Sequence, residues 1–383
     1  MLTVVTGGDV YDPQPRGQQD VLVAGSSIDA IGGFNVAALE RSGLEVARID
    51  ASGCYVFPGF VDPHQHLIGG GGEQGFSSQT PEIRLAELIS AGATTVVGCL
   101  GVETTTKTMA ALLAKAKALN AEGISASIYS GGYNVPPTTL TGAIKTDMMF
   151  VHEVIGAGEI AISDRRSSEP SIEELARLVS DTYVAGMLTN RAGVTHFHVG
   201  EGRQRLSKLR ALLDDYDIDP AVLYPTHVQR NEDLIREAME LAARGVTVDL
   251  DVSARDLTKW LPFYFDNGGD ETRITLSSDA SLSTPRALFE EIRACICTLR
   301  LPIERVLPLA TTNTARVLKL ASKGRIARGA DADLLLVEKT SFEIRSVMAR
   351  GRLLYGDGAV CVREPWLKDS DRRFAVDGEK AAP

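Results

Sequence analysis

The stretch Val56-Phe-Pro-Gly-Phe-Val-Asp-Pro-His64-Gln-His66 is a continuous apolar run that ends in two histidines one residue apart. Continuous apolarity, in place of strict alternation, suits a strand buried on both faces. Side chains two apart on a strand project to the same side, so His64 and His66 can share one site at its end. Outward from this stretch the texture repeats. Short apolar runs occur at 94–100, 125–129, 159–163, 194–199, 222–228, 246–252 and 273–278, and most are separated by helix-like segments such as 81–91, 109–122, 171–185, 231–243 and 285–299. Ser171-Ile-Glu-Glu174 opens one of them with a capping box, in which serine and glutamate satisfy each other's backbone N–H groups. Eight strands with mostly helical crossovers over residues 53–320 predict an α/β fold, a (β/α)8 TIM barrel.

The flanks differ. Residues 1–52 read as short strands at 2–5, 20–24, 28–31 and 45–49, broken at Gly7-Gly8, Asp12-Pro13 and Gly32-Gly33. Residues 321–383 return to strands at 324–328, 333–337, 344–349 and 352–355, followed by a hydrophilic tail from Asp369 that reads as partly mobile. Each flank is too small to hold a core alone, so 1–52 and 321–383 are expected to combine into one small β-sandwich domain beside the barrel.

Composition bounds the function. The 383 residues carry 40 Lys+Arg against 50 Asp+Glu, a net charge of −10, which argues against a nucleic-acid partner. Five cysteines, with no CxxC pair, suit a reducing compartment better than a disulfide framework. The start lacks a basic and apolar leader, and no later stretch approaches 18 uninterrupted apolar residues. The expectation is a cytoplasmic protein with no membrane partner.

Functional side chains of a barrel come from the C-terminal ends of its strands. Those ends carry His64 and His66, Tyr133 after the third strand, Glu159 and Asp164 on the fourth, His196 and His198 on the fifth, His227 after the sixth and Asp279 after the eighth. The second and seventh offer nothing equally clear. Imidazoles with carboxylates form a nitrogen and oxygen donor set suited to Zn²⁺ or a similar divalent ion. Asp279 is the natural group to move a proton from an activated water to a leaving amine; its bland reading is a helix N-cap. His196 shares the face of His198 but reads as a buried support one layer deeper, and His152 as incidental. Glycines 69–72, including Gly71, let a backbone approach a ligand and present Glu73 at their end.

These residues resemble the amidohydrolase superfamily, in the first-strand segment quoted above and in Gly324-Arg-Ile-Ala-Arg-Gly-Ala-Asp-Ala-Asp-Leu-Leu-Leu-Val337. More narrowly, the chain resembles the isoaspartyl (β-aspartyl) dipeptidase family along nearly its whole length. The carrying segments are His66-Leu-Ile-Gly-Gly-Gly-Gly-Glu73, Ala118-Leu-Asn-Ala-Glu-Gly-Ile-Ser125, Ala161-Ile-Ser-Asp-Arg-Arg-Ser167, Pro225-Thr-His-Val-Gln-Arg-Asn231 and Leu276-Ser-Ser-Asp279. The resemblance implies a metallopeptidase with two zinc ions per chain, which cleaves β-aspartyl dipeptides by a metal-activated hydroxide and works as a homo-oligomer. It assigns His64, His66, His198, His227 and Asp279 as metal ligands, with Asp279 also as proton shuttle. Tyr133 would polarise the scissile carbonyl, Glu73 would hold the substrate ammonium, Arg166 and Arg230 its carboxylates, and Gly71 and Ser283 would lie nearby.

Two departures stand out. Where that family carries a carbamylated lysine between its metals, this chain has Glu159, after one inserted residue. It has the same single negative charge on a shorter side chain and is expected to bridge the two zinc ions together with a hydroxide. Where the family has a substrate-facing threonine, this chain has Val102, with Glu103 beside it. Val102 keeps open a related hydrolase of another N-acyl amino acid or a cyclic amide, and Glu159 keeps open a non-catalytic metal-binding descendant.

Overall fold

In the computed structural model, which describes residues 2–372 apart from 42 and 363, the chain opens with strands β1 (Leu2–Tyr11), β2 (Pro15–Ala24), β3 (Ser27–Gly32), β4 (Val46–Asp50) and β5 (Cys54–Pro58). Eight strands follow: β6 (Phe60–Gln65), β7 (Ala93–Gly98), β8 (Ser125–Ser130), β9 (Val154–Ile162), β10 (Val194–Val199), β11 (Leu223–Thr226), β12 (Val248–Asp251) and β13 (Ile274–Ser277). The chain returns through β14 (Leu334–Glu338), β15 (Ile344–Ala349), β16 (Arg352–Gly356) and β17 (Ala359–Val360). Residues 373–383, most of the expected hydrophilic tail, lie outside the described residues. No helix among the described residues is long and apolar enough to cross a membrane.

β6 to β11 form one parallel sheet in sequence order, and β12 pairs with β13. The ring continues from β13 to β6 through Asp279 N–H to His64 O (3.1 Å) and His66 N–H to Ala280 O (3.0 Å). Between β11 and β12 the link runs through side chains. The buried Asp249 accepts hydrogen bonds from Thr226 Oγ1 (2.8 Å), Thr275 Oγ1 (2.6 Å) and Ser277 Oγ (2.5 Å). The result is a TIM-barrel-like arrangement whose strands are buried, apart from the half-buried Ser125 and Ser127 of β8, as their continuous apolar runs predict. Helices cover it, and the one spanning Ile172–Thr189 starts with the expected Ser171–Glu174 capping box.

The quoted run departs from expectation, because it is two strands and not one. β5 pairs along its whole length with β14 and, at Tyr55 and Val56, with β1; β6 opens the barrel. Gly59 separates them. Its N–H reaches Asp333 O (2.8 Å), and a Cβ there would lie 2.2 Å from Thr94 Oγ1, so only glycine fits the crossing. In the N-terminal flank the expected break at Gly7-Gly8 is absorbed within β1, whereas Asp12-Pro13 separates β1 from β2 and Gly32-Gly33 ends β3. A register shift between Val5 and Gly8, with Gly7 at φ 74°, marks a bulge, not an end. Conversely, 324–328 forms no strand: its backbone serves turns, with Ile326 N–H bound by Asp12 Oδ1 (2.6 Å). Outside the barrel, β1 to β5 and β14 to β17 hydrogen-bond into one mixed sheet, ordered β17-β16-β15-β14-β5-β1-β2-β3, with β4 on β1.

Candidate metal centre and active site

The C-terminal strand ends converge on one buried cluster. His64 projects from β6 and His66 follows it; Glu159 lies in β9, His198 in β10, and His227 and Asp279 stand just past β11 and β13. His227 (φ 63°) and Asp279 (φ 45°) adopt left-handed backbone conformations, which non-glycine residues hold only when their surroundings enforce them. Such outliers concentrate where side chains are aimed for function. Asp279 caps no helix, since the next one begins at Arg286.

Glu159 sits at the centre and is fully buried. Its Oε2 faces His64 Nε2 (3.3 Å) and His66 Nε2 (3.8 Å); its Oε1 faces His198 Nδ1 (2.7 Å) and His227 Nε2 (3.3 Å). One carboxylate oxygen therefore addresses each histidine pair. Burial opposes its ionisation, yet His64 and His198 hold the carboxyl well below the usual carboxylate range. A register shift in β9 aims this short side chain at the centre. Along β9 and β10, Ala157 pairs with Thr195 and Ile160 with Phe197, so Gly158 and Glu159 together oppose His196 alone. That is a β-bulge, which re-aims a side chain.

Asp279 Oδ1 completes the inner pair, 3.4 Å from His64 Nε2 and 3.3 Å from His66 Nε2. Both ring nitrogens of His64 are buried without a hydrogen-bond partner among the described residues. Buried polar groups are nearly always satisfied, so an imidazole facing two carboxylates in this state fits a metal ligand. His64 with His66 and Glu159, and Glu159 with His198 and His227, are two groups whose donors lie close enough to hold divalent cations. Cys99 Sγ adds itself to the first, 3.8 Å from His66 Nδ1 and 4.0 Å from Glu159 Oε2.

Supporting groups orient these ligands. Asp251 Oδ2 accepts from His227 Nδ1 (2.7 Å) and from Gln229 Nε2 (2.6 Å); its partner raises the His227 imidazole to about 9 despite burial. Asp164 Oδ2 meets His198 Nε2 (2.9 Å) and Arg166 Nη2 (2.8 Å). Sequence reading passed over strand seven, where Asp251 stands, and gave Asp164 and Cys99 no role; an unpaired acid or thiol on a strand carries no local signal of its partner. His196 lies one layer down, between the rings of Tyr129 (5.1 Å) and Tyr224 (5.0 Å), and burial with the nearby His64 keeps it neutral. His152 lies outside the cluster.

Above the cluster opens a cavity of about 410 Å³ lined by Gly71, Glu73, Tyr133, Arg166, Arg230, Asp279 and Ser283, with His66, His198 and His227 in its floor. His64 and Glu159 lie beneath it. Tyr133 OH is 2.8 Å from His198 Nδ1; burial and the nearby Glu159 push its ionisation far up, so it keeps its proton as a donor. Glu73 Oε1 and Arg166 Nη1 pair across the mouth at 3.0 Å. Glu103 takes no part: it turns back onto its own loop and accepts from the backbone N–H groups of Thr105 (2.6 Å), Thr106 (2.9 Å) and Lys107 (3.1 Å). Val102 does not line the cavity.

Comparison with known proteins agrees with this geometry. Amidohydrolase family models match residues 47–215 and 266–354. The chain is 40% identical to a beta-aspartyl dipeptidase of the thermophilic keratin degrader Fervidobacterium islandicum AW-1, and the two superpose with a TM-score of 0.90 over 94% of this chain and 98% of that one. This chain belongs to the β-aspartyl dipeptidase family of amidohydrolases. Another structure in that family, from the same organism and in complex with a beta-Asp-Leu dipeptide, is 38% identical with a TM-score of 0.88 over the same shares. The family's wider fold extends to the dihydropyrimidinase of Brevibacillus agri NCHU1002, 16% identical with a TM-score of 0.68 over 95% and 97% of the two chains. A D-hydantoinase of Geobacillus stearothermophilus is 46% identical over 65 residues, a match covering 17% of this chain and only 11% of that protein.

Proposed function

We propose that this amidohydrolase cleaves the amide bond of β-aspartyl dipeptides in a metal-dependent reaction. The observation that carries the reading is Glu159, with one oxygen toward each histidine pair, beneath a cavity that offers Glu73 and two arginines besides Asp279. A β-aspartyl dipeptide carries one ammonium and two carboxylates, the complement of Glu73, Arg166 and Arg230. A neutral cyclic amide or an N-acyl amino acid brings no ammonium to Glu73, which would then keep only the guanidinium of Arg166 that it already faces.

His64, His66, His198, His227 and Asp279 would hold two divalent ions, with Glu159 between them. The nitrogen and oxygen donor set supports zinc. When bound, such a pair supplies an acidified water and a polarised carbonyl. The chain's own residues do the rest. Glu73 fixes the ammonium, and Arg166 and Arg230 fix the carboxylates, so the scissile carbonyl presents itself over the histidines. Tyr133 donates a hydrogen bond to the carbonyl oxygen as negative charge develops there. Asp279 takes the water's proton and delivers it to the departing amine. Tyr133→Phe is expected to lower kcat by roughly 10²- to 10³-fold with little change in KM; steady-state kinetics check it, and an unchanged kcat removes Tyr133 from the step.

The same reading takes the two chain ends, 1–52 with 321–383, as one small β-sandwich beside a barrel over 53–320, with β5 of the latter span joining the sheet of the chain ends. A shared core of Val21, Val23 and Ile28 with Leu334, Leu336 and Met348 supports it. Five free cysteines support a reducing, cytoplasmic setting. Exposed Met149, Phe150, Tyr183, Met187 and Leu188 on two packed helices support self-association as a homo-oligomer. The decisive measurement offers β-Asp-Leu, α-Asp-Leu and N-acetyl-leucine to the zinc-loaded, chelated and zinc-restored protein. Leucine release from β-Asp-Leu alone, lost on chelation and regained with zinc, is expected. No release, or equal release from α-Asp-Leu, ends the proposal.

A further inference from the structure

Beside the catalytic cavity lies a larger one of about 820 Å³, and the two share Arg166 and Arg230 in their walls. Its remaining lining is charged: Asp164, Arg165, Glu201 and Arg203 with Gly202. Four guanidinium groups thus face two carboxylates in a chain whose net charge is −10. Asp164 is already engaged by Arg166 and His198. Arg166 pairs with Glu73 and Asp164, and Arg230 donates its Nε–H to Val199 O (2.9 Å). Arg165 and Arg203 have no hydrogen-bond or ion-pair partner among the described residues.

Their backbones, by contrast, are pinned. Gly202 N–H reaches Ser163 O (2.6 Å), and Ser163 Oγ–H reaches Arg205 O (2.7 Å), which fastens the turn after β10 onto the end of β9. A Cβ on Gly200 or Gly202 would lie 2.4 Å or 2.5 Å from Ser163 O, so the close approach depends on glycine at both positions. The fold therefore holds the two uncommitted arginines on adjoining turns, on the far side of the pair assigned to the substrate's own carboxylates.

We propose that Arg165 and Arg203 form a subsite for an acidic leaving residue, so that the preferred substrates are β-aspartyl dipeptides ending in glutamate or aspartate. The inference rests on the dipeptidase reading above. With the leaving residue's main-chain carboxylate held by the inner arginines, its side chain enters the second cavity. A carboxylate there meets planar donors with no competing internal partner.

The test compares β-Asp-Glu with its neutral isostere β-Asp-Gln. In the zinc-loaded wild type, kcat/KM is expected to be roughly five- to tenfold higher for β-Asp-Glu at low ionic strength, the scale of two solvent-accessible charge pairs. The preference should shrink with added salt, since the Debye length contracts from about 10 Å at 0.1 M to about 3 Å at 1 M. In Arg165→Gln/Arg203→Gln the ratio should fall to near one. A wild-type ratio of one or less, or a ratio the double variant leaves unchanged, overturns the subsite. Absence of turnover on every β-aspartyl dipeptide, β-Asp-Leu included, instead overturns the reading beneath it. Calorimetric binding of the products separates the two, because it needs no turnover: free L-glutamate should bind more tightly than L-glutamine and lose that advantage in the double variant. Equal binding refutes the subsite.

Discussion

Asp279→Asn is expected to lower kcat on β-Asp-Leu by roughly 10²- to 10⁴-fold, the range that a positioned acid or base supplies, while metal content stays close to that of the wild type. The substitution isolates the proton step. Asparagine tolerates the left-handed backbone at φ 45°, so the peptide N–H to His64 O (3.1 Å) and the barrel closure it makes are kept. An amide oxygen can still face His64 and His66 as Asp279 Oδ1 does, at 3.4 Å and 3.3 Å, but it cannot carry a proton between water and amine. Elemental analysis beside steady-state kinetics separates the outcomes. Turnover near that of the wild type would remove Asp279 from the proton path; loss of metal in proportion to loss of rate would reduce it to a ligand.

The second large effect belongs to Glu159. Glu159→Ala is expected to bring bound metal below two per chain and to abolish measurable hydrolysis. The carboxylate is the single anion shared by two pairs of imidazoles in a fully buried setting. Without it, the two histidine pairs would hold divalent charge with no shared anion to offset it in a low-dielectric setting. Glu159→Gln keeps the shape but not the charge and should fail nearly as badly, which separates bridging from packing. Because the charge is encoded in the side chain and not formed on a lysine, metal-free protein reloaded in CO₂-free buffer should recover full activity. Two metals per chain in the alanine variant, measured by elemental analysis, would sink the bridging role.

The parts of this molecule that were readable from sequence are those written in local periodicity. The continuous apolar runs of 94–100 and 194–199 became β7 and β10, and Met109–Glu122 formed the helix its pattern called for. The histidines could be grouped because strand ends gather at one face of a barrel. Register was not readable. Gly158 and Glu159 oppose His196 alone, and nothing in 154–162 announces that pairing before its partner strand is known. Nor could the split at Gly59 be seen, since Pro58 and Gly59 interrupt the run by only two residues; the Gly59 N–H that marks the division donates to Asp333 O, far along the chain. The supporting roles of Asp164 and Asp251 were not readable for the same reason, because each acquires meaning only from the imidazole it touches.

That split has a consequence for biosynthesis. β5, one glycine away from the strand that bears His64, finds its full-length partner only in Leu334–Glu338. On a ribosome adding about 5–20 residues per second, that partner emerges roughly 15–55 s after Pro58 has been made. Through that interval the nascent chain carries an apolar strand, Cys54–Pro58, with one edge open. Open edges are where chains join the wrong neighbour. β14 is thus the strand that closes this edge, and a message truncated before residue 334 leaves it exposed.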